Sequence, residues 1–422
     1  MLNTTRIDEF VSWGFNVVRL GTMWSGVVVA PNKVNDTYLH ILETIVEMLG
    51  KRGMYVILDM HQDGLSTKYG MYDGVPRWLI DSFPDPLLKY PLPFTAPPSN
   101  WMLNYVTYAC TEAFKHIYNN QSGALDHLGF FWSTVAKRLG HYDNVLGYEI
   151  MNEPFPGNVY TDPTLFIPGR TGSTELQPMY DKIAPYIRAV DNTSMIFYEP
   201  VTWGMILHGS ELGTGFTHVP GGKAYSDRSV LSFHYYCWFA GAYNKNPFPV
   251  WLRELCDHMF FPDVLSSVGK DITDTGGGHF LTEYGNCQAT APKNSTEYQE
   301  CLSVLSTSDS RRVSWTYWDS DFFNSDGSAI MENVMLFSRT YAVAVSGVVK
   351  STEYDDSVHT YKLQYLPANH STSATVIYVS FIHYPKGFKV STSNANFKIM
   401  SGYYVEITAV STAQVTVTVS SK

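Results

Sequence analysis

The sequence predicts a (β/α)8 barrel short of its first strand, followed by a small antiparallel β-sandwich. Two observations carry the prediction. Over the first 345 residues, short apolar runs rich in β-branched residues alternate with amphipathic stretches, as in a parallel sheet buried under helices. Beyond residue 345 the amphipathic stretches stop, and runs of period two follow one another across Ser-, Asn- and Gly-rich turns. The boundaries drawn are therefore 1–345 for the barrel and 346–422 for the sandwich.

In chain order, "TTRIDEFVSWG" reads as a helix over about 4–13, ahead of the first visible strand, "FNVVRL" (15–20). "TYLHILETIVEMLGKRG" (37–53) has apolar residues at helical spacing and stops at Gly53. Further strands are "YVILDMH" (55–61), "VLGYEIMNEP" (145–154), "MIFYEP" (195–200), "VLSFHYY" (230–236), "HFLTEYG" (279–285) and "VSWTYWD" (313–319). "ALDHLGFFWSTVAKRLGHY" (124–142) is a second clear helix. Seven strands are visible where the barrel needs eight, so the first is expected upstream of Met1. The sandwich strands are "HTYKLQYL", "SATVIYVSFI", "YYVEITAV" and "AQVTVTVSS".

Of the 422 residues, 45% are hydrophobic and 16% charged, which fits a chain with a sizeable core. The net charge is −10 and no Lys/Arg run stands out, so nucleic acid and anionic membrane surfaces are poor partners. An aromatic share of 15% suits carbohydrate or lipid contact, and equally a large β-rich core. Six Asn-X-Ser/Thr sequons, at Asn3, Asn35, Asn120, Asn192, Asn294 and Asn369, point to a eukaryotic secretory route, with a secreted or lysosomal destination. No leader precedes them: "MLNTTRIDEF" is polar, and the sequence is expected to lack part of its front. In an oxidising compartment Cys237–Cys256 and Cys287–Cys301 are candidate bridges with Cys110 free, although spacing does not decide connectivity. No cysteine or histidine pair has zinc spacing, no G-x-G-x-x-G opens a helix, and no G-x-S-x-G elbow occurs. No metal, no cofactor and no serine nucleophile are expected.

A barrel of this type carries its active site at the C-terminal ends of its strands. Those ends supply Arg19; His61 and Asp63; Asn152 and Glu153; Glu199; His234 and Tyr236; Glu283; and Trp318. Glu153 and Glu283 are 130 residues apart, on strands that face each other across the barrel mouth once the missing strand is counted. Two carboxylates across a cleft are what glycoside hydrolysis needs, one as acid/base and the other as nucleophile. Asn152 beside the acid can donate to a sugar 2-hydroxyl, and His234 with Tyr236 can orient the nucleophile. Arg19, in an apolar run, calls for a carboxylate partner, and Glu283 is the expected one. Plainer readings exist for several of these. His61 and Asp63 could be a satisfied loop pair, Trp318 a core aromatic, and Glu199 a structural or distal residue.

"IMNEPF", "FHYY", "LTEYG" and "WTYWD", in this order, resemble glycoside hydrolase family 5, within the retaining clan A of barrel glycosidases. "LDMHQDGLS", "YDGVPRWL" and "SRTYAVAVSG" make the similarity strongest to the endoglycoceramidases and their relatives. The resemblance implies Glu153 as acid/base and Glu283 as nucleophile. It also implies a sugar subsite lined by Arg19, His61, Asp63, Asn152, His234, Tyr236 and Trp318. The activity it implies is cleavage between glycan and ceramide by a monomer that meets a membrane or micelle surface transiently. The alternatives are a glucosidase, mannanase or steryl-glucosidase activity and, in another class, a non-catalytic glycan- or glycolipid-binding barrel. For the lipid, "FPDPLLKYPLPFTAPPSNW" (83–101), "CWFAGAYNKNPFPVWL" (237–252) and "MFFPDVL" (259–265) are expected to form an apolar patch, or else a lid of residues burying one another.

Overall fold

A computed structural model of the chain describes residues 2–71, 74–201, 213–237, 249–285, 287–319, 322–368, 373–400 and 403–422. The chain forms two compact units, one of Met1–Asn16, Tyr236–Asp257 and Tyr284–Lys422, the other of Val17–Tyr235 and His258–Glu283.

The seven expected barrel strands are β1 (Val17–Gly21), β2 (Tyr55–Asp59), β3 (Val145–Glu149), β4 (Met195–Tyr198), β5 (Ser229–Tyr235), β6 (Gly278–Tyr284) and β7 (Trp315–Tyr317). They make one sheet in chain order, and β1 to β5 pair parallel, neighbour to neighbour. Ile57, Phe197 and Val230, packed by Val17, Leu146 and Met195, plug the lower end of the second unit's strands. Gly147 has to be glycine there, since a Cβ would stand 2.1 Å from the Met195 carbonyl oxygen.

The helices follow their caps. In α1 (Thr4–Ser12) the Asn3 side chain accepts the Arg6 N–H, and in α2 (Asp36–Gly50) Asn35 accepts that of Tyr38. Helix α2 buries Leu39, Leu42, Val46 and Leu49, its apolar stripe. Three more helices of the second unit are α3 (Tyr108–Tyr118), α4 (Ala124–Leu139) and α5 (Gln177–Arg188). A fourth, α6 (Phe261–Thr275), contains much of "MFFPDVL". Phe261 and Val264 are buried, and the Phe261 ring stacks on Tyr235 of β5 at 4.3 Å, while Met259 just ahead of the helix is 46% exposed, so part of this segment packs on the sheet and part faces outward.

In the first unit, α1 is tied to the C-terminal residues by side-chain bonds. Tyr378 donates to the Ser12 carbonyl at 2.8 Å, Ser338 to that of Trp13 at 2.6 Å and Tyr341 to that of Gly14 at 2.8 Å. These are carbonyls at the end of a helix, which need such donors. Both candidate disulfides are present, Cys237–Cys256 and Cys287–Cys301, and Cys110 of the second unit is free and buried.

Among the described residues the sandwich has eight strands: β8 (Tyr341–Ala344), β9 (Gly347–Asp355), β10 (Thr360–Pro367), β11 (Thr375–Tyr378), β12 (Phe388–Ser393), β13 (Ala395–Ile399), β14 (Tyr404–Ala409) and β15 (Val415–Ser421). They form two antiparallel sheets, ordered β8-β11-β14-β13 and β9-β10-β15-β12. Between them, Tyr361, Leu363 and Tyr365 meet Val415, Val417, Val419, Ile377, Val405 and Ile407, every second residue of each strand.

Candidate active site

The polar site stands one layer above the apolar plug. Two residues beyond Val17, Ile57, Gly147 and Phe197 come Arg19, Asp59, Glu149 and Glu199, because residues at spacing two share a strand face. His234 and Glu283 complete the layer from β5 and β6.

Arg19 is the hub. Its Nε donates to Glu149 at 2.5 Å, Nη2 to Asn152 at 2.7 Å and Nη1 to Glu283 at 2.9 Å, and Nη2 stands 3.2 Å from Asp59. Burial works against its charge, but Asp59, Glu149 and Glu283 outweigh it and keep the guanidinium protonated. Asp59 in turn holds His61 Nδ1 at 2.8 Å, and His61 Nε2 faces Asp63 at 3.3 Å. Burial opposes the imidazolium; the Asp59 charge outweighs it and raises His61 well above its ordinary value. Asp59 itself, despite burial, is held low by Arg19 and His61.

Glu153 follows β3 in a left-handed backbone, φ +39°, uncommon for a residue with a side chain and a mark of functional strain. Four polar bonds hold it there. Gln62 Nε2 donates to the carbonyls of Asn152 (2.6 Å) and Glu153 (3.0 Å), while Asn152 Nδ2 donates back to the Gln62 carbonyl at 2.9 Å. The Glu153 N–H donates to Glu199 Oε2 at 2.8 Å. Its carboxyl meets His234 Nδ1 at 3.0 Å, and the same nitrogen lies 3.8 Å from Glu283. A carboxylate oxygen of Glu153, one of Glu283 and a ring nitrogen of His234 all fall within 4.8 Å of one another.

The two carboxyls differ in their surroundings. Burial, with the Asp63 charge added, pushes Glu153 up to about 8. Burial raises Glu283 too, while the bonded Arg19 pulls against it. Burial lowers His234, leaving a neutral ring between them. One carboxyl therefore carries a proton at neutral pH, while its neighbour, though also shifted upward, has the Arg19 guanidinium bonded to it at 2.9 Å to favour the ionised form, the division that acid and nucleophile require.

Arg19, His61, Asp63, Asn152, Glu153, His234 and Glu283 thus come together, and the Arg19–Glu283 pair is present. Tyr236 and Trp318 belong to the other unit. There Gly285 lets the Trp318 carbonyl and the Tyr236 ring come close, at 2.6 and 3.1 Å from where its Cβ would be. Trp318 is 41% exposed and so is not a core aromatic; its peptide bond to Asp319 is cis. Glu199 is not distal: its carboxyl touches Glu153 and stands 3.5 Å from His234. Asp59, Gln62 and Glu149 went unread as site residues. Asp59 and Glu149 lie inside apolar runs, and their signal is that a buried strand carboxylate demands a cation. The triads Glu149–Glu199–His234 and Glu153–His234–Glu283 have ligand atoms close enough for a cation, but the Arg19 guanidinium, bonded to both Glu149 and Glu283, already supplies that charge.

Leu87, Leu88, Leu92 and Trp101 of the second unit are exposed, Leu87 at 80%. The loop that carries them leads to Tyr105, whose hydroxyl donates to Asp63 at 3.4 Å. Trp238, Phe239 and Phe248 lie outside the described residues; Val250 and Trp251, described in the first unit, are exposed.

A family model for cellulase, glycosyl hydrolase family 5, matches residues 2–324, and one for the glycoside hydrolase family 5 C-terminal domain matches 339–419. The chain is 33% identical to the endoglycoceramidase of Hydra vulgaris over 92% of its own length and 74% of that protein. It is 32% identical to that of Cyanea nozakii, over 90% and 76%. Its fold is similar to endo-glycoceramidase II from a Rhodococcus species in complex with ganglioside GM3, with a TM-score of 0.82 over 100% of this chain and 93% of that one, at 23% identity. With both family models spanning the chain and two relatives above 30% identity, the protein belongs to glycoside hydrolase family 5 and is endoglycoceramidase-like.

Proposed function

We propose that this glycoside hydrolase cleaves the bond between glycan and ceramide of glycosphingolipids with retention, Glu153 acting as acid/base and Glu283 as nucleophile. One observation carries the mechanism: one oxygen of each carboxyl lies within 4.8 Å of the other, a close approach in keeping with the roughly 5–5.5 Å spacing of a retaining pair. The Glu283 carboxylate attacks the anomeric carbon as the bond to the ceramide oxygen breaks, and the Glu153 proton goes to that oxygen. Glu153, now ionised, takes a proton from water, whose oxygen displaces Glu283 and releases the glycan with its configuration kept. His61, Asp63 and Asn152 line the sugar side, and Asn152 spends one amide hydrogen on Gln62.

The choice of ceramide rests on the endoglycoceramidase relatives and on the exposed leucines and tryptophan of residues 83–101, which suit a lipid tail better than a soluble glycan. Contact with a membrane or micelle is transient in this reading, since no described helix is long and apolar enough to cross a membrane. The protein acts as a monomer, in a secreted or lysosomal setting, as a glycoprotein. Two disulfides and the exposed sequon residues Asn3, Asn192 and Asn294 favour that setting. The test is to incubate the purified protein with a glycosphingolipid. Release of the intact oligosaccharide together with ceramide supports the reading; stepwise loss of single sugars, or no reaction, overturns it.

A further inference from the structure

Glu199 has no step in the proposed chemistry, yet it is built into the acid/base. Its Oε2 accepts the Glu153 N–H at 2.8 Å and its Oε1 stands 3.5 Å from His234 Nδ1. Glu153 needs such holding, because its φ of +39° is not one that its side chain favours. Gln62 holds the carbonyls of the peptides on both sides of Glu153; Glu199 holds the N–H of the one that precedes. Glu199 is itself fixed from behind. The Tyr180 hydroxyl, from α5, donates to the Glu199 carbonyl at 2.6 Å and accepts its N–H at 3.2 Å. Tyr180 is fully buried and Glu199 1% exposed, so a rigid line runs from a helix through a strand end to the acid/base.

We propose that Glu199 is the positioning residue of Glu153, fixing the peptide that aims the acid/base carboxyl at the departing oxygen. The inference rests on the acid/base reading of Glu153. Protonation suits the role. Burial, then the charges of Glu149 and Glu153, raises Glu199 well above the ordinary carboxyl range, so it accepts the N–H without placing a second negative charge beside Glu153. Glutamine, neutral and of the same shape, keeps that acceptor; alanine loses it.

The experiment compares Glu199→Ala, Glu199→Gln and Glu153→Ala on an alkyl β-lactoside, which needs a general acid, and on the 2,4-dinitrophenyl β-lactoside, which does not. A misaimed acid costs on the order of 10²-fold in kcat/KM, which reports the step that releases the leaving group, and only where acid is needed. Glu199→Ala is expected to lose about that much on the alkyl glycoside with KM little changed, and less than about threefold on the dinitrophenyl glycoside. Glu199→Gln is expected to stay near wild type on both. Equal loss by Glu199→Ala on the two substrates, or a Glu199→Gln as impaired as Glu199→Ala, overturns the proposal. If Glu153→Ala loses equally on both, the acid/base reading has failed, and this inference with it. Should Glu199→Ala fail to fold, Tyr180→Phe, which removes both bonds to the Glu199 backbone, is judged by the same two substrates.

Discussion

Arg19 Nη1 bonds Glu283 at 2.9 Å, and Arg19 makes no such bond to Glu153 among the contacts of the described residues. The guanidinium therefore tells two buried carboxyls apart. Arg19→Met is expected to remove that difference, leaving Glu149 and Glu283 without their cation and Asp59 with His61 alone. Stripping one partner from a buried ion pair costs about 3–5 kcal/mol. Denaturant unfolding should show a loss of that order, with activity lost even where the fold survives. Arg19→Lys should rescue little, since one ammonium cannot reproduce bonds to Glu149, Asn152 and Glu283 at once.

The two carboxyls should fail in different ways. Glu283→Gly is expected to abolish turnover and to regain a part of it with azide, which fills the nucleophile's place. Glu153→Ala should lose roughly 10²–10⁴-fold on alkyl glycosides, the usual worth of a general acid, and far less on aryl glycosides with good leaving groups. Steady-state rates with and without azide decide; retained turnover in Glu283→Gly without azide would exclude it as nucleophile.

The pH dependence follows from Glu153, pushed up to about 8. Activity should fall on a basic limb near pH 8 as the acid loses its proton, and Glu153→Gln should lack that limb in its residual rate. A carboxyl whose folded value exceeds its unfolded one binds its proton more tightly when folded. Its contribution is full below about 4.5 and is lost as pH rises through about 8. Asp59, held low, behaves the other way, stabilising above its unfolded value and losing that as pH falls. Unfolding of wild type and Glu153→Gln compared between pH 5 and 9 should show the wild type losing its advantage across that window.

For the lipid, Leu87, Leu88 and Trp101 changed together to Ser should cut cleavage of a glycosphingolipid in micelles by about 10-fold or more, since each exposed apolar side chain that a tail covers is worth roughly 1 kcal/mol or above. Hydrolysis of a soluble aryl glycoside should be unchanged. Parallel loss on both substrates would make the loop structural.

The barrel was more legible in the sequence than the sandwich, for a physical reason. Strands β2 to β6 are covered on both faces, so "YVILD" or "VLSFHY" reads as strand from composition alone. Strands β9, β12 and β13 are half exposed, and "VVKSTEYD", "KVSTS" and "ANFKI" look like turns until their partners are known. The same division runs through the site. Residues at strand ends, such as Glu153 and Glu283, break an apolar run and are visible. Asp59 and Glu149 are hidden within such runs, and Glu199, with no Asn before it, gave no sign that its oxygen would find the Glu153 amide.

The bonds that tie α1 to Ser338, Tyr341 and Tyr378 also set a timetable for synthesis. Their partners stand 325, 327 and 366 residues apart. At roughly 5–20 residues per second, a ribosome needs on the order of 20–70 s to travel from Ser12 to Tyr378. Until Ser338 is made, the helix bearing Ile7 and Phe10, both buried in the finished protein, has none of these three partners to close on. This helix is made well before the partners that secure it, and a nascent chain halted before Ser338 would present its apolar face to chaperones.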